Sequence, residues 1–261
     1  MSVLCRFGCD MERTSLRFDR LVFKEGGERI SPVAIEVGEV HVYACALDLD
    51  ETALAEAAAV LTKEERMRGD RLSSELHRRQ FIGAHAGLRV ILSRYCTGRP
   101  HDLAIQKTAK GKPFLSENPS IRFNLTHSHG NALVAVAKDR EVGIDLEKVR
   151  PGVDVIRLAR RFLSDRDVAF IEHGEPGQHH QRFLQAWVAR EAVFKAAGTG
   201  MTFPLHCDHI ELAGDCTEGH LILGDGKADG AVRPIRFLPL EPEWIGAVAA
   251  EGTDWTVRYC G

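Results

Sequence analysis

The sequence predicts an α+β protein whose two similar α/β halves pack together as an intramolecular pseudo-dimer. Segments with the alternation of a strand and segments with the period of a helix follow one another along the chain. Their order then repeats after a constant offset of 102 positions. With 261 residues, 44% of them hydrophobic, the chain is long enough to bury a substantial core in each half.

Residues 1–38 mix charge and glycine with little periodicity, and we expect them to form an N-terminal extension. The first half, residues 39–140, contains a helix start signal from Leu61 to Glu65 followed by a long helix. Its predicted elements are a strand at 40–47, helices at 51–61 and from the start signal to about 95, and strands at 103–108, 121–127 and 132–139.

The second half, residues 141–261, repeats this order and then ends in strands. Its predicted elements are a strand at 142–149, helices at 155–163 and 181–200, and strands at 209–212, 220–223, 234–240 and 244–250. The matched positions include Val40 with Val142, Leu61 with Leu163, Thr62 with Ser164, Glu65 with Asp167, and Phe81 with Phe183. A cleft between the two halves is the natural place for a site.

Composition argues against several functional classes. The formal net charge of −3 gives no general reason to expect a nucleic-acid partner. The N-terminal stretch is interrupted by charges such as Arg6 and Asp10, and the apolar runs are too short to span a membrane. Seven scattered cysteines do not suggest a disulfide framework. We therefore expect a cytoplasmic protein, monomeric because it is an internal pseudo-dimer, with no nucleic-acid or membrane partner.

The strand Val142–Val149 carries two carboxylates, Asp145 and Glu147, two residues apart. Residues i and i+2 of a strand point to the same side, so both carboxylates project together while Ile144 and Leu146 face the core. Two like charges this close require solvent, a shared proton or a cation. An exposed polar face of an edge strand is the alternative. The corresponding positions of the first half hold Tyr43 and Cys45, which weighs against a role in the shared scaffold.

The second long helix places Trp187, Glu191 and Lys195 on one stripe. The alternative interpretation is an exposed Glu–Lys pair beside a core tryptophan. If this helix crosses the strand, three carboxylates converge, and such oxygen ligands favour Mg²⁺ with open positions for water and phosphate. Zinc is less favoured, because thiolate and imidazole ligands do not cluster there. The run from His206 to His209 is not expected to bind metal, because its neighbouring residues alternate between faces.

Basic residues are concentrated in the first half. They are Arg66, Arg68, Arg71, Arg78, Arg79, Lys110, Lys112 and His127. A solvated helix face is the ordinary explanation of any single arginine. Opposite an acidic metal site, however, this set would suit a polyphosphate ligand, which needs a cation at the reacting phosphates and fixed donors along the rest.

Three ordered motifs, at 111–128, 142–149 and 187–195, resemble the 4′-phosphopantetheinyl transferases of the larger, surfactin-type class. The resemblance covers roughly residues 40–210. It implies the fold of that family, coenzyme A as co-substrate, Mg²⁺ and an apo acyl or peptidyl carrier protein as partner. The implied metal ligands are Asp145, Glu147 and Glu191; the implied coenzyme A contacts are Arg79, Lys112, Thr126, His127 and Lys195; Glu191, Lys195 and Asp167 are the implied catalytic residues.

The resemblance implies transfer of the phosphopantetheine arm to a carrier serine, with release of adenosine 3′,5′-bisphosphate. One position departs from the family pattern, because Arg190 stands where a lysine is usual. A guanidinium stays protonated and cannot act as a base, so Asp167 or a metal-bound hydroxide would have to take the serine proton. The alternatives are a catalytically silent family member that binds coenzyme A or a carrier protein, and a metal-dependent phosphohydrolase.

Overall fold

A computed structural model describes residues 16–21, 23, 33–200, 208–213, 217–224 and 231–260. Most of the predicted extension at 1–38 lies outside these residues, as do His206 and Cys207. No helix in the described ranges is both long and apolar enough to cross a membrane. The described chain is a mixed α/β structure with two five-stranded sheets and a small hairpin.

The first sheet joins strands from both ends of the chain. Its strands are β1 (Asp19–Arg20), β2 (Glu39–Ala46), β5 (Ile121–Ser128), β6 (Asn131–Lys138) and β12 (Thr256–Cys260). Strands β2, β6 and β5 are antiparallel, whereas β1 and β12 both pair with β2 in parallel. Strand β12 was not among the predicted elements. It lies in the range assigned to the second half, yet its hydrogen bonds are made in the first sheet.

The second sheet is antiparallel throughout. Its order is β7 (Val142–Lys148), β11 (Trp244–Ala250), β10 (Ala231–Phe237), β9 (Glu218–Leu223) and β8 (His209–Leu212). A separate hairpin is formed by β3 (Ile105–Lys107) and β4 (Pro113–Leu115). Strand β7, which carries the carboxylates, therefore lies at the edge of its sheet.

Helices α1 to α5 each begin at a capping side chain, whereas α6 begins without one. The helices are α1 (Glu51–Val60), α2 (Lys63–Asp70), α3 (Glu75–Ser93), α4 (Val155–Phe162), α5 (Asp165–Glu172) and α6 (His179–Ala197). Thr62 and Glu65 form the expected capping box of α2. The predicted long helix of the first half is divided, because Ser74 caps a new helix, α3. In the second half, a short 3₁₀ turn at Pro176–Gln178 separates α5 from α6.

Three hydrophobic clusters hold these layers together. One lies between the first sheet and α1 and α3, and another lies between the second sheet and α4–α6. The third joins the sheets face to face, with Val42 of β2 and Ala135 of β6 on one side and Ile144 of β7 and Val248 of β11 on the other. Because strand side chains alternate, this packing turns Asp145 and Glu147 to the opposite face of β7, towards α6.

The repeat-related positions 65 and 167 share one interaction. Glu65 accepts a hydrogen bond from Arg89 Nε of α3 at 2.7 Å. Asp167 pairs with Arg190 of α6, and both side chains of this pair are fully buried. In each half, the acid at the third position of a short helix thus anchors an arginine of the following long helix.

Candidate active site

The candidate site lies where β7 of the second sheet runs beside β5 of the first. Polar side chains at alternate positions of β5 contact β7. Asn124 Oδ1 accepts a hydrogen bond from the Ile144 amide at 3.0 Å. Thr126 Oγ1 donates to Asp145 Oδ1 at 3.1 Å, and Ser128 Oγ donates to Glu147 Oε2 at 3.3 Å. These three contacts fix the relative register of the two strands and orient both carboxylates.

Helix α6 adds a positive charge to this arrangement. Lys195 Nζ donates to Asp145 Oδ1 at 2.6 Å and to Thr126 Oγ1 at 3.2 Å. The approach of α6 to β7 is close at Gly143, where an added Cβ would lie 2.0 Å from Ala192 O. No residue with a side chain fits this crossing without a shift. Gly143 therefore allows α6 to bring Lys195 within reach of the acidic strand.

The acidic groups influence one another electrostatically. Burial raises the pKa of Glu147, and the neighbouring charge of Asp145 raises it further. Burial likewise raises the pKa of Glu191, where Lys195 acts in the opposite direction and Asp145 and Glu147 add to the increase. The three carboxylates are thus close enough to disfavour a fully ionised cluster, which a cation would relieve.

The prediction that three carboxylates meet around one ion is not supported directly. Among the described residues, no group of three His, Cys, Asp or Glu side chains is arranged to hold a metal ion. Asp145 Oδ1, one of the oxygens predicted to bind the metal, accepts a hydrogen bond from Lys195 Nζ. The donor chemistry nevertheless fits Mg²⁺, a hard cation that binds carboxylate oxygens and completes its shell with water and phosphate oxygens. Asp145 Oδ2 is buried without a hydrogen-bond partner, as expected of an oxygen available to a cation.

The residues predicted to contact coenzyme A do not all lie at the acidic face of β7. Thr126 lies in the site, bound to Asp145. His127 occupies the next position of β5, where desolvation by the surrounding protein atoms and the charge of Lys195 lower its pKa. Arg79 instead donates to Glu51 Oε1 and to Leu49 O, both at 2.6 Å.

Lys112 also contacts the protein itself. Its Nζ donates to backbone carbonyl oxygens at the end of α6 and the start of β7.

Asp167 does not lie at the acidic face of β7. It is fully buried; one oxygen accepts from the Ile210 amide at 2.9 Å, and the other accepts from Ser164 Oγ and Arg190. Three hydrogen bonds thus fill most of the acceptor sites of this buried carboxylate. These contacts favour a structural role for Asp167, and its part in activating the carrier serine stays a prediction.

Sequence reasoning missed three residues that build the site: Asn124, Ser128 and Gly143. The first two stand at positions i and i+4 around Thr126 in the strand Ile121–Ser128, so the strand period was the signal that could have found them. Gly143 carried no comparable signal, because a glycine within a strand marks several kinds of close approach.

Comparisons with known proteins bear on this geometry. A family model described as the 4′-phosphopantetheinyl transferase superfamily matches residues 141–229, which include Asp145, Glu147, Glu191 and Lys195. The chain is 32% identical over 224 residues to the 4′-phosphopantetheinyl transferase HetI of Nostoc sp., covering 85% of this chain and 91% of that protein.

The chain belongs to the 4′-phosphopantetheinyl transferase family.

Other relatives in this family match over shorter lengths. A 4′-phosphopantetheinyl transferase of Bacillus subtilis is 33% identical over 147 residues, or 56% of this chain and 62% of that protein. The transferase Sfp of Bacillus subtilis strain 168 is 26% identical over 128 residues, or 49% and 56%. The 4′-phosphopantetheinyl transferase family predicted from the three ordered motifs is therefore confirmed, and the larger, surfactin-type class stays a prediction.

Proposed function

We propose that this transferase moves the 4′-phosphopantetheine arm of coenzyme A to a serine of an apo acyl or peptidyl carrier protein, depends on Mg²⁺ and releases adenosine 3′,5′-bisphosphate. One observation carries the proposal within the family: a lysine and a cluster of interacting carboxylates are held together between two sheets. A diphosphate needs both a cation held by the acids and a fixed positive charge.

We further propose that the protein is of the larger, surfactin-type class, a monomer made of two similar halves at 39–140 and 141–261. Two five-stranded sheets with helices on their outer faces support this proposal. The acid–arginine pairs at the repeat-related positions 65 and 167 add to it. A cytoplasmic location without nucleic-acid or membrane partners belongs to the same proposal.

Asp145, Glu147 and Glu191 would hold Mg²⁺, which when bound would offset the negative charge of the diphosphate oxygens. Lys195 would stabilise charge that grows on the phosphoryl group during attack. The serine oxygen forms a bond to the β-phosphorus, while the bond from that phosphorus to the oxygen of the departing adenosine 3′,5′-bisphosphate breaks. Thr126 would keep Lys195 oriented through the contact it already makes.

Glu191 is our candidate for the group that accepts the serine proton. Because Asp167 is enclosed, Glu191 is the remaining carboxylate among the three predicted catalytic residues. It lies on α6 within electrostatic range of Lys195, Asp145 and Glu147, and a carboxylate at that position is able to accept a proton. His127 and Arg79 would contact coenzyme A phosphates, which for Arg79 requires leaving Glu51.

The direct test incubates the full chain with coenzyme A, Mg²⁺ and a panel of apo carrier proteins, and measures carrier mass by mass spectrometry. We expect a gain of one phosphopantetheine on the carrier serine. Asp145→Asn is the matched loss-of-function variant, because it keeps the side-chain shape and removes the charge. A carrier mass that stays unchanged across acyl and peptidyl carriers contradicts the proposal.

The alternative is a silent member that binds coenzyme A or a carrier without turnover, because Arg190 replaces the usual lysine. The guanidinium of Arg190 is enclosed by Asp167, Ala186 O and Asp208 O. Because these contacts give residue 190 a structural role, catalysis does not depend on a lysine at this position. This observation favours an active enzyme. Activity in Arg190→Lys together with none in the parent would support the silent alternative; activity in both would exclude it.

A further inference from the structure

Lys112 lies in the loop of the β3–β4 hairpin, and its backbone is held by a tight turn. Thr108 N donates to Lys112 O at 2.9 Å, and Lys112 N donates to Thr108 Oγ1 at 3.1 Å. Gly111 has a φ of +87°, a left-handed conformation that favours glycine. The turn therefore fixes the point from which the Lys112 side chain extends towards the second sheet.

The ammonium group of Lys112 makes two hydrogen bonds and one ion pair with the protein. Nζ donates to Ala196 O at 2.5 Å and Val142 O at 3.2 Å, and it pairs with Glu141 Oε2 at 2.6 Å. The side chain is only 11% exposed. The largely buried ammonium is thus held by polar groups of the protein itself.

These acceptors belong to the two elements that carry the site. Ala196 follows Lys195 in the last turn of α6, where carbonyl groups lack partners within the helix and attract a positive charge. Val142 is the first residue of β7, the strand that holds Asp145. The aliphatic stem also packs at the end of α6, since a Cβ at Gly198 would lie 3.1 Å from Lys112 Cδ.

We infer that Lys112 is a positioning residue, which fastens the last turn of α6 to the start of β7 and thereby sets Lys195 against Asp145. It is not a direct ligand of a coenzyme A phosphate. To bind phosphate, the ammonium would have to break at least one of these contacts. The carbonyl oxygen that it leaves would then lack a hydrogen bond in a largely buried place, which costs free energy. The effect on turnover rests on the proposed function, whereas the effect on α6 does not.

The test compares the full chain with Lys112→Met, which keeps the stem and removes the ammonium. Lys107→Met is the matched control, because Lys107 is an exposed lysine at the end of β3 in the same hairpin. Hydrogen exchange of peptides covering residues 193–197 reports the last turn of α6. Calorimetry with coenzyme A and with dephospho-coenzyme A, at low and high salt, reports phosphate contacts. Carrier modification gives kcat and KM.

For Lys112→Met we expect faster exchange at residues 193–197 and a kcat lowered by about 100-fold, the scale reported for small misplacements of reacting groups. Affinity for both coenzymes and its salt dependence should match the parent. Lys107→Met should match the parent in every measurement. Unchanged exchange, combined with weaker coenzyme binding that is less sensitive to salt, overturns the inference and makes Lys112 a phosphate ligand.

A second variant covers the case in which Lys112→Met does not fold. Glu141→Gln removes the charged acceptor at nearly constant volume, and faster exchange at residues 193–197 is again expected. Unchanged exchange in Glu141→Gln overturns the inference. If the parent transfers nothing to any carrier, the proposed function fails, but the exchange measurement still decides the role of Lys112.

Discussion

Asp167 and Arg190 are the two residues whose roles change most between sequence and structure. Both belong to positions that the family resemblance connects with catalysis, yet the two side chains form a fully buried ion pair. Such a pair is weak support for stability as a whole, but removal of one member leaves the other charged and buried. If the role of Asp167 is structural, its removal therefore lowers stability; if the role is catalytic, its removal lowers activity alone.

We predict that Asp167→Ala lowers the free energy of unfolding by about 3–5 kcal/mol, because Arg190 then remains as an uncompensated buried charge. Urea denaturation followed by circular dichroism measures the change. The double variant Asp167→Ala with Arg190→Met should recover part of the loss. A stable Asp167→Ala variant that has lost only its transfer activity would instead restore the catalytic role.

His85 provides a pH-dependent contribution to stability. Burial lowers its pKa from 6.5 to about 4. Between these values the unfolded chain binds the proton and the folded chain does not, so the contribution of His85 falls as pH falls from 6.5 to 4. We expect a loss of at most about 3 kcal/mol at the acidic end.

The measurement is urea denaturation of the parent and of His85→Gln at several pH values from about 7 to about 4, which spans the ordinary and the lowered pKa of His85. The variant should show a shallower decline. His101→Gln, at an exposed histidine of the same half, should decline as the parent does. Parallel curves for the parent and His85→Gln would contradict the assignment.

At the scale of elements, the crossing of α6 over β7 decides the geometry of the site. The helix contributes Lys195, the strand contributes Asp145, and Gly143 is the point of closest approach. β5 completes the arrangement with a row of polar side chains that replaces a backbone ladder between the two sheets. The site is thus assembled from three elements of two sheets.

We predict that Gly143→Ala pushes α6 away from β7 and reduces transfer by about 100-fold, because the lysine and the carboxylate no longer meet. An added Cβ would lie 2.0 Å from Ala192 O and 2.3 Å from Ala196 N, and backbone atoms of a helix do not yield easily. Carrier modification kinetics and thermal unfolding measure the two effects. Gly98→Ala, in open space, is the matched control and should be nearly neutral.

At the scale of the whole molecule, the halves share a core. The third hydrophobic cluster takes side chains from β2 and β6 of one sheet and from β7 and β11 of the other. Strand β12 additionally crosses from the second half of the chain to pair with β2. The proposed division near residue 140 therefore does not separate two independent folding units.

We predict that a fragment of residues 33–140 does not fold cooperatively, because it exposes the apolar face that packs on β7 and β11 and lacks β12. The intact chain should unfold in one transition, and the fragment should show none by circular dichroism in urea. A cooperative transition of the fragment would show that the first half is self-sufficient.

Local patterns predicted much of this fold, and long-range pairing accounts for most of what they missed. The alternation in Val142–Val149 gave both the strand and the common side of Asp145 and Glu147, since strand period is a local property. Nothing local indicated that Thr256–Cys260 pairs in parallel with β2. Likewise, no spacing revealed that Lys112 would contact carbonyls of α6, because those acceptors belong to the backbone and carry no residue identity.

The parallel pairing of β12 with β2 has a consequence for biosynthesis. During translation β2 emerges early, but the partner for residues 39–43 is made only after all strands of the second sheet. Until the ribosome has delivered Thr256–Cys260, one edge of the nascent first sheet stays open to other chains. Chaperones that shield exposed strand edges should therefore associate with growing chains of this transferase and leave once synthesis reaches that strand.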